Sequence, residues 1–296
     1  MKGLEMTGIV VYTALFGAHE KLLEQDVATT SISRFICFTD DESLTSSTWE
    51  IVHVEPLFPA DPRRSQRDIK IRGHELLHEA DVWVYIDNTV RLKAPPEKVV
   101  DAWLGESDWA AINQPQETLW EEFEKNRELS KDVESRLNEQ LSDYSTHHRD
   151  ALDSKPVWNG FFVRRNNDKV ASFAELWFAH VCRYAARDQL SMMVALQQRP
   201  LALQRIDADT KFGVHDWPHR DGETAKGKSY RHARPSSLKS LAEQAEALRE
   251  ENRRLAEENL RLGDKMLFGL AGTRRRFDER RRERRRQRRQ ARKRES

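Results

Sequence analysis

The sequence predicts an α/β fold with a mostly parallel sheet flanked by helices, followed by a separate helical segment. The first observation is that short β-rich runs alternate with helix-length segments over residues 1–217. The second is that one of these runs, VWVYI at 82–86, is continuously apolar, which is typical of an inner strand buried on both faces. The third is a change to a seven-residue period after residue 236. A chain of 296 residues accommodates one such domain and an added segment.

The elements of the first segment follow from runs of β-branched and aromatic residues bounded by turn signals, and from helical spacing between them. Ile69, Leu76 and Leu77, for example, supply the apolar face of a helix that leads into the strand at 82–86. The predicted strands are, in chain order, 8–14, 35–39, 50–54, 82–86, 108–113, 157–164 and 201–206. The predicted helices are 65–79, 97–104, a long charged helix at 117–143, 168–184 and 188–198.

The composition divides the chain into a predicted domain at 1–217, a linker at 218–236, a coiled coil at 237–268 and an arginine-rich tail at 269–296. In the coiled-coil segment, one seam position is always leucine and the other ends in two asparagines. These positions are Leu241, Leu248, Leu255 and Leu262, and Leu238, Ala245, Asn252 and Asn259. This pattern favours a parallel two-stranded coiled coil, and hence a homodimer, although four heptads also suit a single amphipathic helix.

The tail is strongly basic while the rest of the chain is acidic. Residues 274–296 contain 14 Lys or Arg and 4 Asp or Glu, a net charge of +10, whereas residues 1–273 carry −9. We expect the stretch 274–294 to bind an anionic surface or polymer, such as a membrane surface, a polyanionic glycan or non-specifically held nucleic acid. A solvated helical extension is the alternative. Sequence-specific binding of the bZIP kind is disfavoured because there the basic region precedes the zipper.

Other features bear on compartment and on the class of chemistry. The two cysteines, Cys37 and Cys182, suit a reducing compartment. No apolar run reaches transmembrane length, and the first predicted strand leaves no room for a signal peptide. We therefore expect a cytoplasmic protein that the basic tail can hold at the periphery of a membrane. The sequence contains no P-loop, G-x-G-x-x-G or G-x-S-x-G motif, which argues against kinase, dehydrogenase and hydrolase functions.

An acidic residue follows the buried strand at 82–86. Asp87 is expected at the carboxyl end of that strand, where open α/β sheets bind ligands, although an Asx turn would also explain it. Arg67 and Lys70 lie one turn apart on the preceding predicted helix, where the alternative is a solvated helix surface. A basic helix, an apolar strand and an acidic residue at the end of that strand thus follow one another in the sequence.

The same succession occurs in nucleotide-sugar glycosyltransferases of the GT-A fold, and further stretches extend the resemblance over about 7–215. The stretches are VVYTALFG (10–17), FICFTDD (35–41), TWEIVHVEP (48–56), DPRR (61–64), the basic helix, YIDNTVRLK (85–93) and RDQLS (187–191). The series resembles the glycosyltransferase-like family once catalogued as domain of unknown function 616. The resemblance implies transfer of a sugar from a nucleotide-sugar, expected to be UDP-linked, to a glycan or other acceptor.

The resemblance also implies which residues bind the donor. A departing nucleoside diphosphate develops negative charge, which Mn²⁺ or Mg²⁺ and basic side chains stabilise. The implied donor-binding residues are Thr13, Ala14 and Gly17 in a loop after the first strand, Asp40 near the base or ribose, Arg67 and Lys70 at the diphosphate, and Asn88 beside the metal. For Asp40, turn chemistry in the stretch TDDES is the alternative.

Metal and catalytic roles follow from the same resemblance. Asp87 is the implied catalytic and metal-binding carboxylate; Thr89 stands where GT-A glycosyltransferases usually have the second acid of Asp-x-Asp. His215 is the implied second metal ligand, and the nearby alternatives are Asp216 and His219.

Two further roles concern the acceptor side of the implied site. Asp188 would be a catalytic or sugar-binding carboxylate, with a helix N-cap as its alternative. Asn159 and Gly160 would open the strand that lines the acceptor pocket. The competing function is a non-catalytic dimeric interaction protein, with a degenerate glycosyltransferase domain and an anion- or nucleic-acid-binding arginine tail.

Overall fold

The structure is a computed structural model, and it describes residues 8–17, 20–207, 213–216, 250 and 253–254. The chain divides into two units, 1–230 and 231–296, and each is described by itself. In the second unit Glu250, Arg253 and Arg254 are helical, and the Arg253 guanidinium pairs with the Glu250 carboxylate at 2.5 Å. The remainder of the predicted coiled coil, the linker and the tail lie outside the described residues.

The first unit alternates strands with helices. In chain order its elements are β1 (Ile9–Leu15), β2 (Arg34–Thr39), β3 (Glu50–His53), α1 (Pro62–Arg72), β4 (Val82–Ile86), β5 (Arg91–Leu92), α2 (Pro96–Trp103), β6 (Trp109–Asn113), α3 (Leu119–Glu128), α4 (Glu134–His147), α5 (Arg149–Leu152), β7 (Val157–Arg165), α6 (Asp168–Arg183), α7 (Gln189–Gln198), β8 (Leu203–Ile206) and β9 (His215–Asp216). No helix in the described ranges is both long and apolar enough to cross a membrane.

Seven strands form one sheet in the order β3-β2-β1-β4-β7-β6-β8, and β5 pairs separately with β9. All neighbouring pairs of the large sheet are parallel except those that involve β7, which runs antiparallel to β4 and β6. The predicted fold class, a mostly parallel α/β sheet flanked by helices, is confirmed. Because β4 is buried along its whole length, its continuous apolar run is explained by helices on both faces.

The reversed direction of β7 matters for the location of polar groups. Its first residues lie beside the carboxyl ends of β4 and β6, so Val157 pairs with Asn113, and the Asp87 N–H donates to the Gly160 carbonyl at 2.8 Å. The carboxyl ends of β1, β2, β4 and β6 and the start of β7 therefore lie along one edge of the sheet. We call this edge the carboxyl edge.

Two predicted helices are wrong in extent. The helix predicted at 65–79 ends at Arg72, because Gly73 adopts a φ of 87° and a Cβ there would lie 2.3 Å from the Trp83 ring. The helix predicted at 117–143 is two helices, α3 and α4, and Ser130 between them has a φ of 47°. The other predicted elements differ from the observed bounds by at most two residues.

Candidate functional site

Two carboxylates and two cations meet where β4 ends. Asp87 follows β4 directly, Asp188 precedes α7, and Arg67 and Lys70 lie on α1. Lys70 Nζ lies 2.9 Å from Asp188 Oδ2 and 3.3 Å from Asp87 Oδ1. Arg67 Nε lies 2.9 Å from Asp188 Oδ1. The structure therefore brings together four of the residues that the sequence implicated in one site.

Two additional side chains close these contacts into a ring. The Tyr85 hydroxyl donates to Asp87 Oδ1 at 2.8 Å, and Gln66 Nε2 donates to that hydroxyl at 2.6 Å. Arg67 Nη1 in turn donates to Gln66 Oε1. We call the six residues the ion-pair ring: Gln66, Arg67, Lys70, Tyr85, Asp87 and Asp188.

Two members of the ring, Tyr85 and Gln66, were not predicted from the sequence. Tyr85 lies two positions before Asp87, and side chains two positions apart point to the same side of an extended chain. This spacing could have predicted that the two side chains lie close together. Gln66 carried no such signal, because neighbouring residues on a helix point in different directions. Burial and the adjacent Asp87 carboxylate raise the pKa of Tyr85 well above 10, so its hydroxyl stays protonated and acts as a donor.

Asp188 is a buried counter-ion. Its residue is 2% exposed, and each carboxylate oxygen lies against a different cation. Burial alone would raise its pKa, but the charges of Arg67, Lys70 and Arg187 outweigh burial and hold the pKa well below 3.8. Asp188 does occupy the N-cap position of α7, but its side chain makes no capping hydrogen bond to the start of the helix. A buried carboxylate that is paired on both oxygens does not support the predicted catalytic role.

Asp87 differs from Asp188 in its exposure. Its side chain is 28% exposed, and the same oxygen, Oδ1, receives both Lys70 and Tyr85. The turn that follows is closed by the backbone, since the Val90 N–H donates to the Asp87 carbonyl at 2.8 Å. The Asx-turn alternative stays a prediction. Asp87 is the ring's one carboxylate that a ligand or ion in solvent can reach.

The partly exposed Asp87 carboxylate is chemically suited to a divalent cation. Mg²⁺ is commonly bound through one or two carboxylates together with phosphate oxygens of a substrate. Among the described residues, no group of three or more His, Cys, Asp or Glu side chains is placed to hold a metal ion. Asp87 thus fits a cation that it shares with a phosphorylated ligand.

His215 lies in a packed aromatic environment. It is 4% exposed on β9, its ring stacks on Trp158 at a centroid distance of 5.5 Å, and it meets the Phe161 ring at 5.2 Å. Asp216, one of its alternatives, is half-exposed and pairs with Lys93 at 3.4 Å. His219 lies outside the described residues. The metal-binding role of His215 stays a prediction.

The ends of β1 and β2 form a second part of the carboxyl edge. Thr13 and Ala14 were expected in the loop after the first strand, but both lie within β1 and are buried, because the strand extends to Leu15. Gly17 does lie in that loop, with a φ of 75° that favours glycine. Its N–H donates to Asp40 Oδ1 at 2.9 Å, so the Asp40 carboxylate ties the two loops together.

A cavity of about 210 Å³ opens beside this contact. It is lined by Leu15, Glu20, Lys21, Leu22, Asp41, Leu44 and Thr45. Asn88 supports its wall: the side-chain amide donates to Glu20 Oε2 at 3.0 Å and to the Lys21 carbonyl at 3.2 Å. These bonds engage Nδ2, whereas a metal ion would be bound through Oδ1, so the predicted contact of Asn88 with the metal stays a prediction.

Two other polar residues lie at the carboxyl edge. Asn159 on β7 is fully buried, and neither its Nδ2 nor its Oδ1 has a hydrogen-bond partner within the described part of the chain. Arg187, next to Asp188, donates through Nη2 to Gln189 Oε1 at 3.3 Å. Arg187 belongs to the stretch RDQLS but had no predicted role; because its charge lowers the pKa of Asp188, it is a third cation of the site.

The family whose sequence model matches residues 1–214 is described as TOD1/MUCI70, glycosyltransferase-like domain. One matching solved structure is that of the WbbM bifunctional glycosyltransferase in its apo form, with 11% identity and a TM-score of 0.41. The alignment covers 70% of this chain and 40% of that chain, so this chain spans less than half of the neighbour's length. No curated protein matches the sequence.

Proposed function

We propose that this chain, which belongs to the TOD1/MUCI70 glycosyltransferase-like family, transfers a sugar from a nucleotide-sugar donor to an acceptor. Family membership supports glycosyl transfer as the general activity, and a UDP-linked donor with metal assistance is our finer proposal. The observation that carries it is the ion-pair ring, in which a partly exposed carboxylate at the end of β4 is held by a buried ammonium group.

The charges around the ring suit a departing diphosphate. Arg67, Lys70 and Arg187 oppose Asp87 and Asp188, so the cluster carries one net positive charge. Charges that are fixed before a reaction stabilise a developing negative charge without reorganising. Arg67 would contact the phosphates. Lys70, whose side chain is 2% exposed, would act at a distance through its positive charge and would orient Asp87 through their ion pair.

Asp87 would share a divalent cation with the oxygens of the diphosphate. Bound Mn²⁺ or Mg²⁺ supplies Lewis-acid stabilisation to the leaving phosphates. Tyr85 and Lys70 both hold Oδ1 of Asp87, which fixes the orientation of its carboxylate. His215 is the second ligand that we propose.

The nucleoside would occupy the cavity at the ends of β1 and β2. Gly17 allows close approach of the backbone there, and Asp40 fixes the loop that contains it. Asn159 adjoins Gly160, whose carbonyl accepts from the Asp87 N–H. Its unpaired amide would meet a hydroxyl of the sugar or acceptor, because a buried amide without a partner is costly unless a ligand satisfies it.

The second unit would mediate dimerisation and binding to an anionic partner. The heptads at 237–268 would pair two chains as a homodimer, and the stretch 274–294 would hold the dimer at an anionic surface or polymer. The anionic partner could be the acceptor itself. We place this protein in the cytoplasm, at the periphery of a membrane when the tail is bound.

A thermal-shift titration of the full chain tests the proposal. UDP, GDP and CDP are each added with and without Mn²⁺, and a ligand that binds only the folded state raises the melting temperature by mass action. We expect a Mn²⁺-dependent rise with UDP that is lost in Asp87→Asn, which keeps an oxygen that can accept from Tyr85 and Lys70. The matched control is Asp101→Ala, a substitution at an exposed acid on α2.

The same titration addresses the competing function. Thr89 in place of a second acid favours a non-catalytic interaction protein in which the domain serves as a scaffold. If none of the three nucleotides changes the melting temperature, with or without Mn²⁺, the scaffold function replaces the transferase. A shift with GDP or CDP alone would keep the transferase and change the donor class.

A further inference from the structure

A buried cation lies in the core behind the ion-pair ring. Arg164 on β7 is 1% exposed, and its guanidinium lies 4.5 Å from the ring centroid of Trp83 and 5.3 Å from that of Trp109. No carboxylate of the described residues forms an ion pair with it, and burial lowers its pKa. A buried charge without an acidic partner is costly, so its other contacts require an explanation.

Those contacts lead to the last turn of α1. Arg164 Nη1 donates to the Ile71 carbonyl at 2.5 Å, and Nη2 donates to the Tyr12 hydroxyl at 3.2 Å. The Tyr12 hydroxyl in turn donates to the Lys70 carbonyl at 2.8 Å. One guanidinium therefore supports two successive carbonyls, one directly and one through a tyrosine.

These two carbonyls would otherwise lack partners. The last four carbonyls of a helix have no N–H in the next turn, and α1 ends abruptly because Gly73 takes a φ of 87°. The Gly73 N–H satisfies only the Ile69 carbonyl, at 3.0 Å. A cation near a helix C-terminus is also favoured by the helix dipole.

We infer that Arg164 and Tyr12 are positioning residues, which lock the last turn of α1 so that the Lys70 ammonium stays between Asp87 and Asp188. A lysine side chain has four flexible torsions, so its ammonium is fixed only if its backbone is fixed as well. Arg164 suits this positioning role because its planar guanidinium donates to two acceptors at once while its faces stack on aromatic rings. The role of Lys70 at a diphosphate rests on the proposed function, whereas the locking of the turn does not.

Tyr12→Phe tests the inference with the smallest change. It removes the one hydroxyl that links Arg164 to the Lys70 carbonyl and keeps the ring in the core. Tyr144→Phe is the matched control, because Tyr144 is equally buried and its hydroxyl is hydrogen bonded to His180 Nδ1 at 2.8 Å on the α4 side of the domain. Both variants are measured as the full chain.

The first readout is hydrogen exchange without any ligand. We expect the amides of 70–73 to exchange several-fold faster in Tyr12→Phe than in the wild type, with no such change in Tyr144→Phe. Unchanged exchange at 70–73 in Tyr12→Phe would overturn the inference, as would equal acceleration in both variants. This readout stands even if the chain binds no nucleotide, so failure of the proposed function is distinguishable from failure of the inference.

The second readout is affinity for UDP with Mn²⁺. We expect about a three- to tenfold loss in Tyr12→Phe, the range that one net hydrogen bond supplies, and no loss in Tyr144→Phe. Arg164→Met, which keeps an apolar side chain among the same rings, is expected to lose at least as much. If the wild type binds UDP with Mn²⁺ and Tyr12→Phe binds it equally well, the position of the Lys70 ammonium does not depend on the Tyr12 hydroxyl, and the inference is wrong.

Discussion

The two parts of the carboxyl edge that form the candidate site are built differently. At the end of β4, the charges of the ion-pair ring are paired with one another, and the side chains of Lys70 and Asp188 are 2% and 3% exposed. At the ends of β1 and β2, the chain turns at Gly17, Asp40 is exposed and a cavity opens. We call the first part the reaction end and the second the nucleoside end.

The difference reflects two kinds of recognition. Stabilising a developing charge requires groups whose positions are fixed in a low-dielectric environment, and such groups also contribute to folding. Binding a nucleoside requires space and polar groups that are not yet engaged. We therefore expect substitutions at the reaction end to change folding and ligand binding together, and those at the nucleoside end to change binding alone.

The largest effect is expected at the centre of the ring. Lys70→Met leaves the buried Asp188 with one of its two ring cations removed, and breaking one partner of a buried pair typically costs about 3–5 kcal/mol. Urea unfolding of the full chain measures this loss. Lys93→Met, which breaks the half-exposed pair with Asp216, is the control and should change stability by less than about 1 kcal/mol. Equal losses in the two variants would show that the buried Lys70 contributes no more to folding than a half-exposed cation does.

The next effect is a pH dependence that Asp188 imposes on the reaction end. Its folded pKa lies below the ordinary value of 3.8, so its contribution to stability is complete above that pH and is lost as pH falls toward the folded pKa. Between pH 5 and pH 2.5 we expect wild type to lose about 1–2 kcal/mol more than Asp188→Asn, in which no proton is taken up at this position. Parallel stability curves for the two proteins would show that Asp188 is not held as a buried anion.

The smallest effect on folding is expected at the nucleoside end. Asp40→Ala removes the acceptor of the Gly17 N–H at an exposed position, so the free energy of unfolding should change by less than about 1 kcal/mol. The affinity for UDP should fall several-fold while the Mn²⁺ requirement persists. Asp40→Asn, which retains an oxygen for the Gly17 N–H, should restore most of the affinity; if it does not, the carboxylate charge and not the loop contact is what matters.

Three residues of the site could be predicted because their patterns are visible within a few positions of the sequence. Asp87 was found because an acid after a continuous apolar strand is unusual, and Arg67 and Lys70 because of their spacing on one helix. Thr13 and Ala14 were assigned to a loop because a strand end is poorly marked when the chain continues with small and apolar residues. The break at Ser130 was missed because charged residues continue across it without Gly or Pro.

The contacts of the ring were beyond such signals. Asp188 enters it from more than a hundred residues after Arg67 and Lys70, and nothing in RDQLS distinguishes a counter-ion from a helix cap. Arg164 lies 152 residues after Tyr12 and 93 residues after Ile71. As an arginine in a strand, it carries no mark of burial in the sequence.

By itself, the sequence determined the α/β class, the mostly parallel sheet and the residues placed near the end of β4, because periodicity and turn chemistry act over a few residues. Only the tertiary structure decided what those residues do. The antiparallel β7 brings Gly160 to Asp87, and the packing of α1 and α7 at the carboxyl edge buries Asp188 between two cations. Burial and ion pairing between distant segments set the charge and the exposure of each group. Asp87 is partly exposed and can contact a ligand, whereas Asp188 is buried and holds the two cations in place.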